Sequence, residues 1–278
     1  MLEANKQPFS KRIPWLWAVI IPVVILLMVW LYYTPPGLLG KADAIGYSVC
    51  HRIDLRSFHI GVRQFPLCAR CTGQFLGALL ALIYQAVIGR RRMGRPGWSV
   101  MTVLAAMFMA YAIDGLNSYL HLEPMMDEFP NLPRLYEPNN TMRLLTGTGI
   151  GLVIGAALYP AFNTSVWRRP DPRAALGNLG ALGGLVLLAL GLDGLILLEI
   201  PWVMYSLAIL SALATLTLLG LVYTIVVLML ARQENRAEQL KQLALPFIGG
   251  LGIALLQIAV IDLLRYLLTG TWDGFHLG

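Results

Sequence analysis

Between Cys50 and Gly73 the chain gathers its three cysteines, two of its four histidines and four arginines, directly ahead of a long apolar segment. Cys68 and Cys71 are spaced i, i+3 at an expected helix start, so both sulfurs can face one side. The positive end of that helix, with Arg70 and His51 nearby, favours the thiolate, the form that binds metal and attacks disulfides. Cys50 and His51 lie far enough upstream to fold back on the pair. Cys50, His51, Cys68 and Cys71 then form a Cys3His set, a known tetrahedral zinc combination, although adjacent ligands are less usual than spaced ones. Two other chemistries fit the same residues. Cys68 and Cys71 could pass electrons as a dithiol/disulfide pair, and Cys50 could close a structural disulfide with either of them in an oxidising compartment.

Charged and amide side chains suggest a second group. Arg52, Arg56 and Arg70 could grip an anionic group such as a lipid phosphate, whereas Arg63 reads as a solvated loop charge. Further along stand Asp114, Asn117, Asn140, Arg143 and Asp262, with Asp193 and Arg265, in or beside apolar segments. A charge within hydrocarbon costs about 2.5–3.5 kcal/mol on insertion scales, so such residues face a bundle interior or a wet cavity and pair.

The elements that must position these groups are membrane helices. Hydrophobic residues make up 57% and charged residues 13% of the 278, and the mean hydropathy is +0.66. Runs of about 20 apolar residues match the roughly 30 Å hydrocarbon layer. The sequence predicts an all-α polytopic bundle of about seven transmembrane helices, near 14–33, 71–89, 98–119, 142–159, 176–199, 203–230 and 245–268. Thr34-Pro35-Pro36-Gly37 ends the first, Gly94–Gly97 separates the second and third, Pro160 closes the fourth, and Ile200-Pro201 links the fifth and sixth. The net charge of +6 marks topology here, not nucleic-acid binding. Lys6, Lys11, Arg12, Arg90, Arg91, Arg92, Arg95, Arg168, Arg169, Arg173, Arg232, Arg236 and Lys241 would all lie on one side. The positive-inside rule puts that side and the N-terminus in the cytoplasm, and the C-terminus and the cysteines outside. Asp114, Asp193 and Asp262 then fall in the outer third of their helices, at the depth of Cys71, as one polar pocket open to the outside.

Three stretches differ in texture: 1–40, an N-terminal helix and its flank; 41–160, which carries most polar features; and 161–278, a plainer three-helix region. The run Cys50-His51-Arg52, Arg56-Ser57-Phe58, Gln64-Phe65-Pro66-Leu67-Cys68-Ala69-Arg70-Cys71-Thr72-Gly73 resembles the signature of a prokaryotic membrane family, catalogued as domain of unknown function 2085. Asp114-Gly115 with Asn117 after it, and Asn140-x-x-Arg143-x-x-Thr146-Gly147, match that family's later motif. The family often has Gln where this chain has Asn117. The resemblance covers about residues 41–160 and implies a multi-pass cell-membrane protein with no assigned activity. It implies one site for Cys50, His51, Arg52, Cys68, Arg70, Cys71, Asp114, Asn140 and Arg143.

Three function classes follow. The first is a zinc-type site beside a pocket for an anionic small molecule or lipid headgroup. The second is a membrane oxidoreductase using Cys68 and Cys71 with a quinone. The third is a transporter whose intramembrane aspartates carry protons or cations, weakened because the polar residues lie toward one side. Membrane lipids are expected partners; nucleic acid and a nucleotide cofactor are not. No Walker loop, Rossmann fingerprint, Ser-His-Asp order or His-Glu-x-x-His helix is present.

Overall fold

The computed structural model describes residues 13–128 and 131–274. The basic flank of Lys6, Lys11 and Arg12 lies outside the described residues. Six helices are long and apolar enough to cross a membrane, and a bent pair makes up to seven. They are α3 (Ala69–Ile88), α4 (Trp98–Leu120), α6 (Asn140–Val166), α7 (Leu179–Leu197), α8 (Pro201–Leu230) and α9 (Ala244–Thr269), while the pair is α1 (Ile13–Tyr33) with α2 (Gly37–Val49). A short α5 (Glu123–Glu128) follows α4. Pro201 opens α8 within its first turn, where a missing N–H breaks no helical bond.

Pro160 does not close its helix: α6 runs on to Val166 with Pro160 inside it. A proline in a membrane helix is tolerated where neighbouring groups satisfy the freed backbone, and Tyr159 beside it is buried with Ala78 and Leu82 of α3 and Leu218 of α8. Thr34-Pro35-Pro36 does end α1, but the chain turns through 106° into α2 instead of leaving as a loop. Lys41 of α2 reaches back to the carbonyls of Leu31 and Thr34, satisfying carbonyls that the end of α1 leaves open.

Between α2 and α3 an antiparallel hairpin of β1 (Ser57–Ile60) and β2 (Arg63–Cys68) turns at Gly61, whose φ is +63°. Phe58 and Phe65 are buried in one cluster with Leu76, Leu144, Ile196 and Met204. The hairpin is therefore pinned onto the bundle by its aromatic face. Pro66 costs the two-stranded ladder little, because an edge strand need not donate on both sides.

The central pair is α3 and α6, held closer than ordinary side chains allow. Gly73 and Gly77 face Leu144, Thr148 and their backbone, while Gly147 and Gly151 face the carbonyls of Arg70 and Gln74. This small-residue spacing is the membrane device for close backbone contact. A Cβ at Gly151 would also meet the backbone nitrogen of Ala78 at 2.8 Å, whereas one at Gly149 would meet only Met107 at 3.5 Å. Gly151→Val is thus expected to destabilise the protein by about 1–3 kcal/mol or more, with Gly149→Ala near neutral. Unfolding in mixed micelles checks this, and equal stability of the two variants would remove the packing argument.

Helices α3, α6 and α8 begin, and α4, α7 and α9 end, at the hairpin end of the bundle. The opposite end is closed by its own loops. Arg92 bridges to Asp171 and Trp167 to Ala237, Arg168 pairs with Glu238 at 2.6 Å, and Arg91 stacks on Trp167 at 4.0 Å.

Candidate functional site

Cys50 caps the C-terminus of α2, Cys68 caps the N-terminus of α3, and Cys71 lies in the first turn of α3. The antiparallel hairpin carries the chain back from the first to the other two, and the three sulfurs all lie within 4.8 Å of one another. All three are free thiols. The Sγ of Cys50 accepts the backbone N–H of Arg52 and of Cys68, each at 3.4 Å. His51 is exposed, and its ring is not part of the three-sulfur group.

Their electrostatics are unequal. Hydrogen bonds from Cys50 and Cys71 hold the Cys68 thiol well below its ordinary value, and Arg70 adds to this. The bond with Cys68, and then burial, push the Cys50 thiol up to about 12. The thiol held low, Cys68, is the one at the positive end of α3.

Arg52, whose φ is +52°, turns the chain sharply after the Cys50 segment. It pairs with Asp43 of α2 at 3.1 Å and donates to the carbonyl of Trp272. The α9 residue Arg265 holds the same segment from the other side. Its guanidinium donates to the carbonyls of Tyr47 at 2.5 Å, Cys50 at 2.7 Å and His51 at 3.2 Å, and stacks on the Tyr47 ring. Tyr47 in turn bonds Thr269 and Thr271. Arg265→Ala is therefore expected to free the Cys50 segment, raising Cys50 alkylation about tenfold over wild type, a loss of roughly 1.4 kcal/mol of local stability. Arg265→Lys, which keeps the charge but not the fork, should fall between. Unchanged alkylation in Arg265→Ala would remove Arg265 from the site.

A second constellation lies beside the sulfurs. Asp114 of α4 is 1% exposed. It accepts from Arg70 of α3, from Tyr136 at 2.6 Å and from Thr146 of α6 at 3.0 Å. Arg70 also donates to Ser118 at 2.9 Å. One carboxylate thus ties two central helices, α4 and the following loop together. Burial, then the bond to Asp114, push the Tyr136 phenol up to about 12, so it stays a donor. Asn117 fixes the loop by donating to the Tyr136 carbonyl and accepting from Leu135 N–H. Asn140 donates to the carbonyls of Leu55 and Ser57 and accepts from Arg143 at 3.0 Å. Arg56 donates to the Ser118 carbonyl at 3.3 Å; burial, and then the Arg70 charge, pull it below its ordinary value.

The three aspartates do not share one partner set. Asp262 accepts from Trp30 Nε1 at 3.0 Å between α9 and α1, and Asp193 accepts from Thr148 at 2.6 Å between α7 and α6. Of the residues singled out from the sequence, Arg56, Arg70, Asp114, Asn117, Asn140 and Arg143 come together next to Cys68, while Asp262 stands apart. An open groove of about 570 Å³ shares Asn140 with this cluster and is otherwise lined by Asp54, Ser57, His59 and Glu199 among others. Sequence reasoning passed over Asp43, Ser118, Tyr136 and the role of Arg265. Only the last carried a signal, a cation within an apolar helix.

A family profile described as predicted membrane protein (DUF2085) matches residues 50–157. An uncharacterised protein of Methanothermobacter thermautotrophicus is 32% identical over 108 residues, which is 38% of this chain and 82% of that protein. No solved structure matches the chain.

Proposed function

The chain belongs to the DUF2085 family of predicted membrane proteins, and from its cysteines we propose a function: they hold a metal ion of zinc type. The observation that carries this reading is three sulfurs from two elements within 4.8 Å of one another. Thiolates at about 2.3 Å from a tetrahedral zinc lie about 3.8 Å apart, so small side-chain adjustments close the site. The two backbone N–H groups on the Cys50 sulfur support a thiolate there, and an ion would replace the protons that the three sulfurs otherwise share. Such an ion ties the Cys50 segment to α3. With His51 outside the group, the fourth position is open to water or an added ligand, the arrangement of a Lewis-acid site.

The charge pattern supports an extracytoplasmic position for this end. Arg90, Arg91, Arg92, Arg95, Arg168, Arg169, Arg173, Arg232, Arg236 and Lys241 all belong to the loops of the opposite end.

The thiolate character of Cys68 favours a second reading, thiol-disulfide exchange through Cys68 and Cys71 with a membrane quinone. Metal analysis of the purified full chain, with a free-thiol count on the same sample, separates the two. The first reading expects about one zinc per chain, released by a chelator with the appearance of reactive thiols. Metal-free protein whose Cys68–Cys71 disulfide is reduced by a quinol would replace it with the second.

A further inference from the structure

Four arginines of the hairpin end differ in how they are balanced. Arg52 has Asp43 and Arg70 has Asp114. Among the described residues no carboxylate lies within ion-pair distance of Arg56 or Arg143; their bonds go to a backbone carbonyl and to a neutral amide. Arg143 is only 7% exposed, and its Nε has no hydrogen-bond partner. A guanidinium carries five N–H donors, and a buried charge left unpaired is strongly disfavoured. Arg56, Arg70 and Arg143 also lie near enough to act on one another, with Asp114 as the carboxylate facing them. Asp114 is already engaged by Arg70, which leaves Arg56 and Arg143 without a carboxylate of their own.

The surroundings add positive potential. The N-termini of α3 and α6 both open at this cluster, and helix N-termini favour anions. Two spanning helices begin here, so the cluster sits at the depth of lipid headgroups. Arg56, half-buried on the segment between α2 and β1, gives it an approach from outside the bundle.

We propose that Arg56 and Arg143 bind a phosphate-type oxyanion, from a lipid headgroup or free in solution, beside the cysteine cluster. The planar fork of each guanidinium matches such an anion through paired N–H bonds. Binding would supply both the missing countercharge and an acceptor for the Arg143 Nε. The site stands on these two side chains and does not require a metal.

The test uses the full chain in mild detergent, with inorganic phosphate as one probe and phosphatidylglycerol in nanodiscs, against phosphatidylcholine, as the other. Phosphate is expected to raise the wild-type Tm, and Arg56→Gln to weaken that response at least about tenfold in concentration. Arg143→Gln should do the same, with Arg143→Lys retaining part; should Arg143→Gln not fold, Arg56→Gln decides. Arg63→Gln, at an exposed arginine paired with Asp43, should leave the response unchanged. Selective retention of phosphatidylglycerol with no response to phosphate identifies a lipid as the source; a phosphate response without lipid retention identifies the free anion. No response to either probe, or equal responses in wild type and Arg56→Gln, overturns the proposal. Metal content on the same samples reports the cysteine site separately, so the failure of one reading does not mask the other.

Discussion

Cys68→Ser is expected to strip the protein of its metal, from about one ion per chain to less than about a tenth of that. Structural zinc is bound with about 10–16 kcal/mol in small peptides at neutral pH, so one ligand of three or four represents roughly 3 kcal/mol, a hundredfold or more in affinity. Cys68 should show the largest effect of the three. Its thiol is the one held below the ordinary value, it caps α3, and its backbone N–H supports the Cys50 sulfur. His51→Ala supplies the contrast, because the ring lies outside the three-sulfur group; it should keep the ion. Metal quantified by mass spectrometry on both variants, purified under identical conditions, decides the matter. Equal metal in Cys68→Ser and wild type would remove the metal site, and equal loss in His51→Ala would place the imidazole on the ion.

Asp114→Ala is expected to be the most destabilising single change away from the cysteines, at about 3–5 kcal/mol. Its carboxylate has four hydrogen-bond donors from three separate parts of the chain. Removing it leaves the Arg70 guanidinium, 18% exposed, without its charge partner and the Tyr136 hydroxyl without its acceptor, while Thr146 keeps only the Met142 and Arg143 carbonyls of its own helix. Asp114→Asn keeps an oxygen and the shape but not the charge, so it should lose roughly half as much. Reversible unfolding in mixed micelles measures both. Stability of Asp114→Ala within about 0.5 kcal/mol of wild type, the range of an ordinary surface change, would show that the hub is dispensable.

The spanning helices were legible because the bilayer imposes a length and a polarity that few other structures share. Their ends were less so. Pro160 reads as a stop by soluble-protein chemistry, yet neighbouring helices carry α6 six residues further. The α1–α2 bend and the hairpin were missed for a different reason: both are short and depend on contacts with remote residues. His59-Ile60-Gly61-Val62-Arg63 does contain a turn signal, but the burial of Phe58 and Phe65 under Met204 is visible only in three dimensions. In the site, chemistry pointed to the three cysteines, and their meeting follows from the hairpin. The cost of intramembrane charge pointed to Asp114 and Asp262 as buried and bonded. Nothing in the spacing could say that the first would meet Arg70 and the second Trp30. Arg265 stands three residues from Asp262 on one helix face, a spacing that suits a pair, yet its bonds to three carbonyls of a segment made far earlier lie beyond any local pattern.

That last contact has a consequence for how the molecule is made. Arg265 follows Cys50 by 215 residues, and a ribosome adding roughly 5–20 residues per second needs about ten to forty seconds to supply them. Cys68, Cys71 and the hairpin emerge early, and the glycine seam with α6 can close soon after. The Cys50 segment must wait for α9 to be threaded into the bilayer before its backbone is gripped. Maturation of the cluster thereby waits on the synthesis of α9, and a chain stalled before α9 leaves it unfinished.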